Sequence, residues 1–571
     1  MVRVGRVLCV TFVLSLLPWV ALAQGPPVPP PPPPPMPPPG RDVPVNKTGT
    51  ARLSGRVTSL ETGRPIRRAV VQIMSSELRE GRSVSTDAEG RWELRDLPAG
   101  RISLTASKGG YVQLQYGQRR PFEGGKPIDL TNGQSIDKIE LALPRASAVT
   151  GRVVDEFGEP VINVRVSAMR YRFINGQRRL TPTSVIDTTD DLGQFRVHGL
   201  APGDYYIHAQ PQSMMTFLVS GDRTGYAQTY YPNAYTPADA TRVTLSVGQE
   251  AQHLVIALAP TRFVMLSGTV SSADGHVVKS GMVRLVDPSA AGPFTSQSGI
   301  IRPDGSWTIS SVVPGEYRLI AQMLRGSLEE VASTGSASFP ETAQMSIVVG
   351  ADDISGIAIA TTKGNTVRGQ VKWEGAEPPS GAPSNGMVAA VEPDVMGVPT
   401  PTAAIRPDGS FEMRAVSGKR QFRAIGFPKG WYLKAIMLNG QDVTDTFVDV
   451  PAGQDISGLE VHATQKAAEL SGTVQSSKGT AITDYVVLLF PPESERWGWQ
   501  SRFVHVARPD QTGRFTLSGL PESSYLAVAL EYLEPGEEGN PEFLERLKPL
   551  ATRISVTEGE KKTVTLKLST Q

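Results

Sequence analysis

The chain has 571 residues, 56 of them glycine and 47 proline, with 57 basic side chains against 56 acidic ones and a single cysteine. That length calls for several domains, that much glycine and proline points to turns instead of long helices, and a near-neutral balance without a basic tract excludes nucleic acid as a partner. One cysteine, Cys9, excludes a disulfide framework and a thiolate metal site, so each domain must be held by its apolar core, for which ~100 residues suffice.

Arg3 and Arg6 precede an apolar run over residues 7–20 that ends in Ala21, Leu22 and Ala23. Basic, apolar and small residues in that order predict a secretory signal peptide over 1–23, and the run is shorter than the ~20 residues of a membrane span. The mature chain is expected to start at Gln24. Cys9 stands ahead of most of the apolar run, the wrong place for a lipid-modified cysteine. No later stretch is long and apolar enough to span, so no transmembrane segment is expected after cleavage, and the product is exported, to the periplasm or to the cell surface. Residues 24–50 read as a linker. Within it, twelve of the fourteen residues 26–39 are proline, which predicts a stiff polyproline II arm of roughly 40 Å at ~3.1 Å per residue.

Everything after Thr50 repeats. The clearest marker is a short turn at Asp87 to Gly90, Asp190 to Gly193, Asp304-Gly305, Asp408-Gly409 and Asp510 to Gly513, with glycines 103, 112, 104 and 104 residues apart. Asp bonds its own downstream amides and Gly takes positive φ, so each marker is expected to close a β-hairpin. Two residues on stand Trp92, Phe195, Trp307, Phe411 and Phe515, and four residues on Leu94, Val197, Ile309, Met413 and Leu517. A period of two puts both sets on the core face of a strand.

Each repeat opens with an alternating strand around a glycine: Gly55, Gly151, Gly268, Gly369 and Gly472. Each is expected to close with a second hairpin, turning at Gly133, Gly248, Gly350, Gly453 and Gly559. Roughly seven short strands per unit predict an all-β chain of five tandem antiparallel β-sandwich domains over residues 51–145, 146–261, 262–362, 363–465 and 466–571. The linkers between them are short, which predicts a semi-rigid rod. Helix-period pattern is scarce, with residues 541–550 the best candidate.

The Ser-Gly-Arg-Val opening strand at residues 54–57, the Gly-x-Pro at 63–65 and 158–160, the Asp-x-x-Gly-x-aromatic turn and the Leu-Pro-x-Gly at 97–100 resemble carboxypeptidase regulatory-like domains. The resemblance covers nearly all of residues 51–569, best in the first two repeats; the third and fourth lack Gly-x-Pro and the fifth lacks the glycine after Pro521. It implies transthyretin-like sandwiches, grouped with carbohydrate-binding-like folds, in an accessory module of exported proteins. Fold alone leaves the function open. An isopeptide crosslink, as in the similar collagen-adhesin B-type domains, needs an inward lysine on an early strand. Lys372 is the only lysine on the five opening strands, and its neighbours Val371 and Trp373 take the apolar face, so it is expected to point outward.

Catalytic patterns do not accumulate. None of the six histidines, His198, His208, His253, His276, His462 and His505, begins a His-x-x-Glu zinc motif, and neither a Gly-x-Ser-x-Gly elbow nor a Gly-Lys-Ser/Thr phosphate loop occurs. Acids such as Asp190 and Asp191 are explained by their turn, and one or two acids per turn are too few for a calcium site. No catalytic residue, metal site or cofactor is assigned. The candidate ligand-binding residues are aromatics outside the strand pattern, Tyr230 and Tyr231, flanked by Tyr226 and Tyr235, and the pair Trp497 and Trp499, whose i, i+2 spacing presents both rings to one side of an extended segment. Closure of a sandwich edge is the competing role for these rings.

The sequence thus describes a non-catalytic, exported binding or adhesion-type protein, with polysaccharide or another envelope protein as partner. A structural spacer or scaffold of the cell envelope is the alternative, and an enzyme without a recognisable motif ranks last.

Overall fold

Alternation of apolar and polar side chains gives every repeat a first strand with one face in a core, and the remaining strands arrange around it. The computed structural model describes residues 49–569 apart from 76, 79–80, 175, 212–223, 288–295, 325–340, 376–385, 393–399, 452 and 499. The expected leader and proline arm lie outside the described residues.

The first repeat comprises β1 (Ala51–Ser59), β2 (Val70–Ser75), β3 (Arg82–Ser85), β4 (Arg91–Leu97), β5 (Gly100–Ser107), β6 (Leu114–Gln115), β7 (Ile128–Leu130) and β8 (Ser135–Leu143). One sheet has the order β4-β1-β8; the other has β3-β2-β5, with β6 and β7 both paired to β5. Between them lie Leu53, Val71, Ile73, Trp92, Leu104 and Leu141. The same central trio recurs around Ser147–Val154, Val264–Ser271, Asn365–Glu374 and Ala468–Gln475. Separate cores form within residues 51–143, 149–258, 264–359, 367–463 and 468–566. The five aromatics two residues beyond the turn glycines are all buried, and so are their partners two residues further on.

The turns form as their residues dictate, but they join different strands from those expected. Asp87 Oδ1 accepts from the amides of Glu89 and Arg91 at 3.0 and 2.7 Å, and Asp510 Oδ1 accepts likewise from Thr512 and Arg514. The flanking strands then part: β3 pairs with β2 and β4 with β1, so the turn crosses between sheets. The turn at Gly133 also crosses, from β7 on β5 to β8, which runs parallel to β1. All five repeats have this parallel ladder. Local turn chemistry specifies a reversal of direction, whereas burial on both sides of one core decides that the reversal changes layers. The antiparallel sandwich holds for the other ladders.

The parallel ladder explains the opening glycine. A Cβ on Gly55, Gly151, Gly268, Gly369 or Gly472 would lie 1.9–2.1 Å from the carbonyl oxygen of Ile139, Leu254, Ile357, Leu459 or Val564. Each of these glycines also stands opposite its repeat's buried aromatic in the antiparallel ladder. Glycine is required here for space, not for φ.

The rod expectation does not hold: residues 47–571 form one unit, within which the fifth repeat touches the first, second and fourth. Short linkers restrict tumbling without fixing the direction in which the chain turns. Residues Pro541–Leu547 do form a helix, capped by Asn540, whose side chain accepts from the amide of Glu542.

Two glycines in the first repeat separate the space requirement from the φ requirement. Gly55→Ala is expected to cost about 3 kcal/mol through backbone overlap. Gly63→Ala, at φ +65° with open space around it, should cost only about 1 kcal/mol. Denaturant titration of both variants checks the order; equal losses would contradict the close approach.

Candidate functional site

Two of the aromatic candidates, Trp497 and Tyr230, are closed inside the protein. Trp497 is 2 % exposed, follows a short 3₁₀ turn, and donates its indole N–H to the carbonyl of Pro491 at 2.7 Å. Its ring packs edge-on against Phe490 at 5.8 Å, within a cluster that includes Leu530, Phe543, Leu544 and Leu547. The helix Pro541–Leu547 therefore covers the outer face of the strand Val486–Phe490, which is buried at every position. Trp497 closes a sandwich edge and presents no ring to solvent. Trp499 lies outside the described residues.

Tyr230 is 7 % exposed and stacks obliquely on His208 at 4.7 Å. Tyr231 is half-buried against the second core. Burial pushes the Tyr230 hydroxyl up to about 12. Tyr226 donates its hydroxyl to Glu156 at 2.8 Å, and Tyr235 is exposed. Among the described residues, Trp497 and the tyrosines do not combine into a stacking platform. Lys372 points outward, as expected, with its ammonium near Gln370.

The histidines stay dispersed. His208 is buried, 3.3 Å from Gln228 Oε1, and desolvation lowers it to about 4. His505 is also lowered by burial and lies 2.7 Å from the Arg502 carbonyl. His462 sits between Glu460 and Glu374. No group of three metal-ligating side chains forms among the described residues.

Charged chemistry concentrates instead where repeats meet, and no motif in the sequence marked it. The loop between β6 and β7 carries Arg119, Arg120, Phe122, Glu123 and Lys126 into the fifth repeat. There Asp484 takes Arg119 at 2.8 Å, Lys126 at 2.9 Å and Arg508 at 2.9 Å. Arg508 also pairs with Glu123, which is buried. Beside them, Gln511 reads the backbone of Asp129 as a strand would, accepting from its amide at 3.0 Å and donating to its carbonyl at 2.9 Å. From the second repeat, Arg170 lies over the Phe122 ring at 3.3 Å and reaches Glu534 at 3.5 Å. The hairpin of Val164–Ile174 and Gln177–Thr188 touches the fifth repeat backbone to backbone: a Cβ on Gly176 would overlap the Gly539 carbonyl, and one on Gly536 the Phe173 carbonyl.

The fourth and fifth repeats share a cleft of about 270 Å³ between Leu433, Asp442, Phe503 and Pro521, with Lys434, Arg502 and Glu558 at its walls. Arg502 pairs with Asp442 and lies 3.0 Å from Asp445. Burial raises the Asp445 carboxyl despite Arg502 and Arg423, whereas at Asp442 hydrogen bonds from Thr444 and Arg502 outweigh burial and lower it. Lys434 bridges to Glu558 at 3.2 Å. These groups neutralise one another across the junction, which suits them to holding two repeats together more than to transferring a proton.

Residues 52–143 match the family model of the carboxypeptidase regulatory-like domain. No curated protein matches the chain. Among solved structures it is similar to a streptococcal ancillary pilin, with 11% identity over 55% of this chain and 98% of that one at a TM-score of 0.20. It is also similar to the TIE protein of Bacillus anthracis, with 9% identity over 74% of each chain at 0.15. A third likeness is to GBS52, a minor pilin of Streptococcus agalactiae, with 15% identity over 37% of this chain and 95% of that one at 0.21. Overlaps this small carry no inference about role. No helix among the described residues is long and apolar enough to cross a membrane.

Two measurements test the burial assignments. Trp497→Ala should cost the fifth repeat about 3 to 5 kcal/mol, as removal of a buried tryptophan does, seen as loss of an unfolding transition near its wild-type midpoint. His208 binds its proton more readily unfolded than folded, so its stabilising effect is complete above pH 6.5 and is lost as pH falls toward 4. The loss should reach about 3 kcal/mol and be absent in His208→Gln; a pH-independent wild type would contradict it.

Proposed function

We propose that the protein is an exported, non-catalytic scaffold or adhesion-type protein of the cell envelope, built from five carboxypeptidase regulatory-like domains with boundaries near residues 145, 261, 362 and 465. The observation that carries this reading is the use made of charge withdrawn from solvent at the repeat boundaries. Buried Glu123 and half-buried Arg508, Asp445 and Arg502, which in an enzyme would face a substrate, face partners across those boundaries. A chain that uses partly desolvated ion pairs to fix one repeat against another is suited to presenting surfaces in a set geometry, and a protein of the envelope is the partner that this favours over a polysaccharide.

The family match over residues 52–143 supports the accessory, non-catalytic setting of the first repeat. The recurrence of its central strand trio and its space-requiring glycine supports extending that assignment to the other four. Export rests on the leader at residues 1–23 and on the lack of cysteine after it, which leaves a chain that is indifferent to an oxidising compartment.

Affinity electrophoresis in gels containing a panel of soluble polysaccharides tests the choice of partner. The mature protein is expected to migrate with unchanged mobility in every gel. Retardation by one glycan, abolished in Trp499→Ala or Tyr231→Ala, would replace the scaffold reading with sugar recognition.

A further inference from the structure

The faces that join the fifth repeat to the first two are chemically unlike each other. On the first and second repeats stand Arg119, Arg120, Lys126 and Arg170; on the fifth stand Asp484, Glu531 and Glu534. One pair runs the other way, Glu123 with Arg508, and fixes the register. Like therefore repels like, and a fifth repeat can dock only on a first-and-second pair.

The interface is also predominantly polar. Its contacts are ion pairs, the amide ladder at Gln511, and glycine-backed backbone approaches at Gly176 and Gly536, with Phe122 under Arg170 and Tyr532 under Arg120 as its aromatic contacts. Its exposed pairs, such as Arg120 with Glu531, are each weak, and the interface owes much of its occupancy to the high effective concentration that the intervening repeats impose. Those repeats are linked less uniformly than the interface itself. The fourth and fifth are locked by Arg502, Asp442 and Asp445, whereas among the described residues the third and fourth are joined on the surface, by a hydrogen bond from Gln344 to Glu392 at 3.2 Å and by an exposed pair of Lys363, at the boundary, with Asp274 at 2.6 Å.

We propose that this interface is exchanged between copies: the chain opens at the junction of the third and fourth repeats, and the fifth repeat of each of two copies docks on the first and second repeats of the other. The partner is a second copy of this chain. Reciprocal exchange preserves the contacts of the fifth repeat with the first two and brings no like charges together, so its cost is that of associating two molecules and opening the third–fourth junction in each, with loss of the Gln344–Glu392 hydrogen bond.

Two charge-reversed full-length mature chains test this. One carries Asp484→Arg, Glu531→Arg and Glu534→Arg; the other carries Arg119→Glu, Lys126→Glu and Arg170→Glu. Each alone should be monomeric by light scattering, with the circular dichroism of the wild type. An equimolar mixture at low salt should double in mass, because each reversed face then meets its complement on the other chain, and 1 M NaCl should return it to single chains. A mixture that stays at single-chain mass overturns the proposal. Should either variant fail to fold, the wild type decides: opened in 1 M NaCl, concentrated and desalted, it should yield a dimer fraction that rises with protein concentration, and a monomer at every concentration overturns the exchange.

Discussion

In each repeat the first strand is clamped between an antiparallel neighbour on one side and a parallel neighbour on the other, and at one position the parallel neighbour leaves no room for a side chain. Gly55 and its four counterparts occupy that position, each opposite a buried aromatic. The aromatic fills the core and the glycine lets the last strand close against the sheet, so the sandwich is completed without a disulfide. Every repeat depends on this pairing of the smallest residue with one of the largest.

The next level of order is electrostatic. Five stable sandwiches on short linkers could extend, but the fifth repeat gathers ions from three others: Asp484 from the first, Glu534 from the second, and Arg502 from the fourth. Desolvating a charge is expensive unless a partner neutralises it, and at these junctions the half-buried Asp484, Glu534 and Arg502 each have one. The same repeat is thickened on its outer face by the helix Pro541–Leu547 and Trp497, which bury a strand on both sides. It is the repeat with the most to hold in place.

Much of this was legible in the sequence, and what escaped has physical causes. The period of two that places Trp92 and Leu94 inward is local, and so is the Asp-to-amide bonding of the turns; both appear as read. The partner of a strand is not local. The reversals at Gly90 and Gly133 look like hairpins because the residues that make a turn do not encode which sheet the next strand joins. Trp497 and Trp499 satisfied the spacing of a platform, but the residues that cover Trp497 come some 50 positions later, at Phe543 to Leu547. The ions of the β6–β7 loop carried no signal at all, since a lone Glu123 has no motif until Arg508, nearly 400 residues away, stands against it.

The closed arrangement rests on the contact between the first and fifth repeats, and a chain that starts at residue 24 offers a clean way to measure it because the sequence's single cysteine, Cys9, is then left out. Asp129→Cys and Gln511→Cys, introduced together and treated with a short bismaleimide at low protein concentration and low salt, should give a single-chain product crosslinked between residues 129 and 511. That product should diminish as salt rises. Absence of the intramolecular crosslink at low salt, with both thiols reactive, would contradict the closed arrangement.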